Sequence, residues 1–89
     1  MFIEFDQAKR DLTLQERGLD FADAMAVYND SSVTFLDDRK NYGEDRFVTV
    51  GMLCGRTIVL VWTPRGEGRR IVSMRYANER EITRYARLD

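Results

Sequence analysis

The 89-residue chain has no histidine and a single cysteine, Cys54. One thiol cannot close an internal disulfide, and structural zinc sites draw their ligands mainly from cysteine and histidine, so both are set aside. The serine–histidine and cysteine–histidine pairs of nucleophilic catalysis are missing for the same reason. This cysteine usage points to a reducing, cytoplasmic compartment. Long apolar runs are lacking too. The most apolar stretch, Thr57 to Trp62, is far too short to cross a bilayer, and no signal peptide is read before Phe2, so no membrane role is expected. No linker, repeat or low-complexity segment breaks the chain, and residues 1–89 are read as one domain because two cores would each be too small. A net charge of −1 argues against a protein that coats nucleic acid non-specifically.

What is present is organised around Thr57–Trp62. Ile58, Leu60 and Trp62 alternate onto one face and Val59 and Val61 onto the other, so this strand is expected to be covered on both sides. Gly55 before it and Pro64-Arg65-Gly66 after it bound a run too short for a buried helix. Arg46–Leu53 precedes it across a Cys54-Gly55 turn, and Arg69–Tyr76 follows Gly66-Glu67-Gly68. Links this short predict an antiparallel meander.

Around the meander, Phe2–Phe5 reads as a short N-terminal strand and Val33–Leu36 as another. Asp6 fits the N-cap of a helix from Gln7 that stops at a left-handed Gly18. Asp20 caps a second helix with Phe21, Ala24, Met25 and Tyr28 on one face, ended by Asn29-Asp30-Ser31-Ser32. Asn78 and Glu81 have capping-box spacing and open a last helix whose apolar side, Ile82 and Tyr85 with Ala86 beside them, is thin. The order is a short strand, two helices, four strands and a helix: an α+β domain with helices against one antiparallel sheet.

The side chains left for chemistry are arginine, lysine, glutamate and tyrosine. These types suffice to cleave RNA through its own 2′-hydroxyl, because the substrate then brings the nucleophile and the protein supplies a base, an acid and cations for the phosphate. Tyr42-Gly43-Glu44-Asp45-Arg46 is the densest polar group, with Glu44 and Arg46 on a common side; an internal ion pair steadying the loop fits equally. Arg65 ends the central strand beside glycines, which also suits a turn residue. Ser73 alternates onto the same strand face as Ile71 and Arg75. Four arginines (65, 69, 70 and 75) lie against one acid, Glu67, between positions 65 and 75. A solvated, salt-bridged surface accounts for such charges as well.

Taken together, the segments Glu4–Lys9, Arg17–Ala24, Tyr42–Arg46, Gly51 with Gly55-Arg56, Thr63–Gly66 and Arg70–Ala77 resemble the BrnT family of type II toxin–antitoxin toxins. They stand in the family's order and cover nearly the whole chain. The resemblance implies a RelE-like fold and a ribonuclease that inhibits translation, and with the residue types present the cleavage is expected to need no metal or cofactor. Lys9 and Glu44 are the candidate acid–base residues, and Arg46, Arg65 and Arg75 the candidates for holding the scissile phosphate. Arg17, Arg69, Arg70 and Ser73 are candidate RNA contacts. Family members commonly carry Lys-His-Gly where this chain has Glu16-Arg17-Gly18, and Asn where it has Thr13. A guanidinium stays protonated, so Arg17 suits phosphate binding and not general-base work.

The resemblance also implies a cognate antitoxin, a BrnA-like ribbon-helix-helix protein. The pair would bind operator DNA through the antitoxin, since this chain's near-zero net charge makes it a poor DNA binder alone. An acidic antitoxin segment over Arg69–Arg75, next to a thinly covered apolar surface, would block RNA by competing for the same charge. From a different class comes a second reading: an inactive relative kept as a protein-binding regulatory module, which would not arrest growth when produced alone.

Overall fold

A computed structural model describes residues 2–28, 31–39 and 41–88. The elements run β1 (Ile3–Phe5), α1 (Gln7–Arg17), a 3-10 helix (Phe21–Ala26), β2 (Val33–Leu36), β3 (Phe47–Leu53), β4 (Arg56–Arg65), β5 (Gly68–Tyr76) and α2 (Glu79–Leu88). Among the described residues five strands form one sheet in the order β1-β5-β4-β3-β2; β1 runs parallel to its neighbour and the other pairings are antiparallel. The α+β class, the meander and the short N-terminal strand are as expected from the sequence. The central strand runs past its expected end, through Pro64 to Arg65.

The caps are local chemistry read correctly. Asp6 accepts from the Lys9 amide at 3.1 Å, and Gly18 at φ 70° donates to the Leu14 carbonyl, a left-handed stop that a Cβ would strain. Asn78 and Glu81 exchange backbone-to-side-chain bonds of 2.8 and 3.0 Å, a complete capping box at the start of α2.

The second helix is not α-helical. Three residues per turn replace 3.6, and the buried positions become Phe21, Ala24 and Val27, while Met25 turns out to solvent at 43% exposure. A six-residue segment capped at Asp20, which accepts from the Ala22 amide at 2.9 Å, is short enough for this tighter winding. Asn29 and Asp30, expected to end it, lie outside the described residues.

Strand alternation divides the core in two. On the face under the 3-10 helix, Ile58, Leu60, Trp62, Ile71 and Met74 meet Leu19, Phe21, Ala24 and Val27. Each fully buried aliphatic or aromatic side chain there contributes about 1.5–3 kcal/mol. Phe47 stacks on Trp62 at 4.9 Å, and the Trp62 indole N–H donates to Thr49 Oγ1 at 2.8 Å, satisfying a buried polar group. Among the described residues the other face is covered mainly by α2, where buried Tyr85 meets Val48, Val50 and Val59 while Ile82 is 43% exposed.

A bulge in β5 changes the alternation. Val61 pairs with Ser73 and Trp62 with Ile71, so Val72 is left over between them. Contrary to plain alternation, Ser73 therefore does not share a face with Ile71, although it does share one with Arg75. Ile71 enters the covered core, whereas Ser73 and Arg75 stand opposite Val61 and Val59 on the open face.

Candidate active site

The strand register lays the open face out in cross-strand rows. Arg75, Val59, Val50 and Val33 form one, and Ser73, Val61, Val48 and Phe35 the next. Beyond the bulge, Glu4 on β1 stands beside Arg70 on β5, Thr63 on β4 follows, and Arg46 precedes β3 in line with them. The last row holds Gly68 and Arg65, with Glu44 alongside. The face thus grades from apolar under α2 to ionic at the β4–β5 hairpin. The Val72 bulge is what brings Arg70, Ser73 and Arg75 onto one side.

In the ionic rows, acids and bases alternate. Arg46 Nε lies 3.6 Å from Glu44, Arg65 Nη2 donates to Glu44 at 3.2 Å, Arg65 Nε lies 3.9 Å from Glu4, and Arg70 Nη1 lies 3.6 Å from Glu4. All five side chains are partly exposed, so these pairs add little to stability. What they do is hold three guanidiniums beside two carboxylates. Glu44 is fixed by its loop: Gly43 turns at φ 76°, and Arg46 lies over the Tyr42 ring at 4.2 Å. Tyr42 donates to buried Asp37 at 3.2 Å, and the Arg39 guanidinium with this hydroxyl holds the Asp37 carboxyl down at about 2.

Arg75 is held separately. Its two Nη groups donate to both Glu81 oxygens at 2.7 Å, a bidentate pair that ties β5 to α2. The Arg75 guanidinium draws the Glu81 carboxyl down to about 2, and Glu81 in turn raises the Arg75 pKa. Between α2 and the sheet lies a groove of about 500 Å³ whose lining includes Val61, Ser73, Arg75, Arg84 and Tyr85.

The remaining predicted residues fall elsewhere. Arg69 is on the covered face, with its guanidinium 4.0 Å from the Trp62 ring centre and 4.4 Å from that of Tyr28. Arg17 donates to the Met74 carbonyl at 2.9 Å and so braces the end of α1 against β5. Lys9 is exposed on α1, with no ion pair to a described residue. Arg46, Glu44 and Arg65 are brought together as a group, with Arg70 joined to them through Glu4. Glu4 was missed because a lone acid in a three-residue strand gives no signal until its register to Arg70 is known. Glu81 was read only as a cap, and its second role needs the packing of α2. Among the described residues no group of three or more histidine, cysteine, aspartate or glutamate side chains is placed to hold a metal ion. No described helix is long and apolar enough to cross a membrane.

Fold and face together define a small α+β domain that seals one side of its sheet and offers arginines and carboxylates on the other. The family described as "Ribonuclease toxin, BrnT, of type II toxin-antitoxin system" matches residues 5–81, and the chain belongs to that family. It is an endoribonuclease toxin of a type II toxin–antitoxin system, with an RNA substrate and a cognate antitoxin as its partner. No curated protein matches the chain.

Proposed function

We propose that RNA is cleaved on the open face, at the ionic rows, by a metal-independent attack of the substrate's 2′-hydroxyl. The observation that carries this is Glu44 shared between Arg46 and Arg65, at 3.6 and 3.2 Å. A carboxylate beside two fixed cations suits a base next to a bound phosphate. Glu44 takes the 2′-hydroxyl proton, the 2′-oxygen bonds to phosphorus, and the bond to the 5′-oxygen breaks. The departing oxygen takes a proton from water, leaving a 2′,3′-cyclic phosphate and a 5′-hydroxyl. Arg46 and Arg65, with Arg70 alongside, stabilise the charge that gathers on the phosphate. Ser73 and Arg75 lie one step along the same face and contact the flanking nucleotide. Lys9, on α1, is the remaining candidate for proton transfer, and Arg17 and Arg69 contribute through packing as much as through any RNA contact.

The protein works in the cytoplasm, where its substrate is. Its antitoxin is a ribbon-helix-helix protein, BrnA-like in the family's terms, and the pair binds operator DNA through that partner. The antitoxin's acidic segment covers Arg70 and Arg75, which share the open face, and not Arg69, whose guanidinium lies against Trp62. Incubating the purified protein with mRNA, with and without ribosomes and with EDTA, tests the chemistry. Cleavage that survives EDTA and is lost in Arg46→Ala and Arg65→Ala supports this site; a metal requirement, or cleavage persisting in both variants, overturns it.

A further inference from the structure

The row that ends the open face contains an aromatic ring that neither the core nor the ion pairs account for. Phe2 continues β1 by one residue, and its carbonyl accepts from the Arg69 amide at 2.9 Å, which sets it beside Gly68. Phe2 alternates with Ile3, which packs into the covered core, and so falls on the open face with Glu4. Its ring lies over Gly68: a Cβ built there would come within 2.4, 2.6 and 2.7 Å of three ring atoms. Gly68 pairs with Arg65 on β4. A ring lying on the bare backbone of β5 therefore reaches toward Arg65, while Phe2 remains 54% exposed.

We propose that Phe2 is a base-stacking platform of the RNA site, taking the nucleobase next to the phosphate held by Arg65. This rests on the reading above. A phosphate at Arg65 places the adjoining sugar and base within a few ångströms of the neighbouring strand. An exposed aromatic ring seated against backbone offers a preorganised π-face, and any base can use it. Gly68 is the enabling residue, because any side chain at that position would lift the ring away. An apolar contact that only seals the sheet edge would be served equally by leucine; a stacking platform would not.

That difference sets the experiment. Binding of a 2′-O-methyl oligoribonucleotide, which cannot be cleaved by this chemistry, is measured for wild type, Phe2→Leu, Phe2→Tyr, Phe2→Trp and Arg65→Ala, with melting temperatures alongside. Phe2→Leu is expected to weaken binding by about 5- to 100-fold, with an unchanged melting temperature, while Phe2→Tyr and Phe2→Trp bind as wild type. The Phe2→Leu loss should vanish on an oligonucleotide whose bases are replaced by abasic spacers. Wild-type affinity in Phe2→Leu overturns the proposal, as does a loss that persists on the abasic strand, failure of the wild type to bind, or a Phe2→Leu loss confined to antitoxin affinity. If Arg65→Ala binds and cleaves as wild type, the active-site reading itself falls; if Arg65→Ala fails and Phe2→Leu does not, only the stacking falls.

Discussion

The two faces of this sheet are made from the same strands and do opposite work. On the covered face, Ile58, Leu60 and Met74 are fully buried, Trp62 and Thr49 are hydrogen-bonded, and Arg69 spends its charge on two aromatic rings. On the open face, five charged side chains stand in alternation beside the groove between α2 and the sheet. Residues one position apart thus differ in kind: Arg69 braces a core and Arg70 faces solvent. An arginine-rich strand is therefore not a basic patch until the faces are known. Position along the chain puts the arginines near each other, and pleat and bulge decide which of them can meet one phosphate.

The largest effect is expected on the covered face. Trp62→Ala removes a stacked indole and the hydrogen bond it gives to Thr49, and should cost about 3–5 kcal/mol by urea denaturation. A loss under about 1 kcal/mol would mean that this face is not the main core. Next comes Glu44→Gln, which should lower the cleavage rate by about 100-fold or more, with an unchanged melting curve. A rate within a few-fold of wild type would move the base elsewhere, Lys9 being the first alternative.

A smaller effect belongs to the link between α2 and the open face. Glu81 has its carboxyl held at about 2, below the ordinary 4.5. A group depressed in this way stabilises the fold above its unfolded value and loses that contribution as pH falls from about 4.5 toward about 2. Arg75 is 41% exposed, so solvent screening limits the pair. Glu81→Gln should cost about 1 kcal/mol at neutral pH and flatten the acid side of the stability profile; an unchanged profile would show that α2 is held by Tyr85 alone. The least effect is expected for Val61→Ala on the half-open face, below about 1 kcal/mol. A cost matching Leu60→Ala would erase the distinction between the faces.

Much of this could be read from the chain. Caps at Asp6, Gly18, Asp20 and Asn78 are short-range chemistry, and the meander follows from its brief turns. The Glu44–Arg46 pair was legible because two residues two apart near a strand start share a side. Three features were not. The 3-10 winding of Phe21–Ala26 hides because the spacings 3 and 4 both look helical until Val27 is seen buried and Met25 exposed. The Val72 bulge has no composition cue, and it reverses the face of everything after it in β5. Glu4 meets Arg70 only through a parallel pairing between the two ends of the chain.

The division of labour between the faces is tested most directly by two arginines only four residues apart. Cleavage rates of Arg65→Ala and Arg69→Ala are measured on one RNA, each with its melting temperature. Arg65→Ala is predicted to lose about 100-fold in rate with its melting temperature kept, whereas Arg69→Ala melts earlier and, below that temperature, cleaves within about threefold of wild type. An Arg69→Ala variant that stays as stable as wild type and loses as much rate as Arg65→Ala would contradict the account.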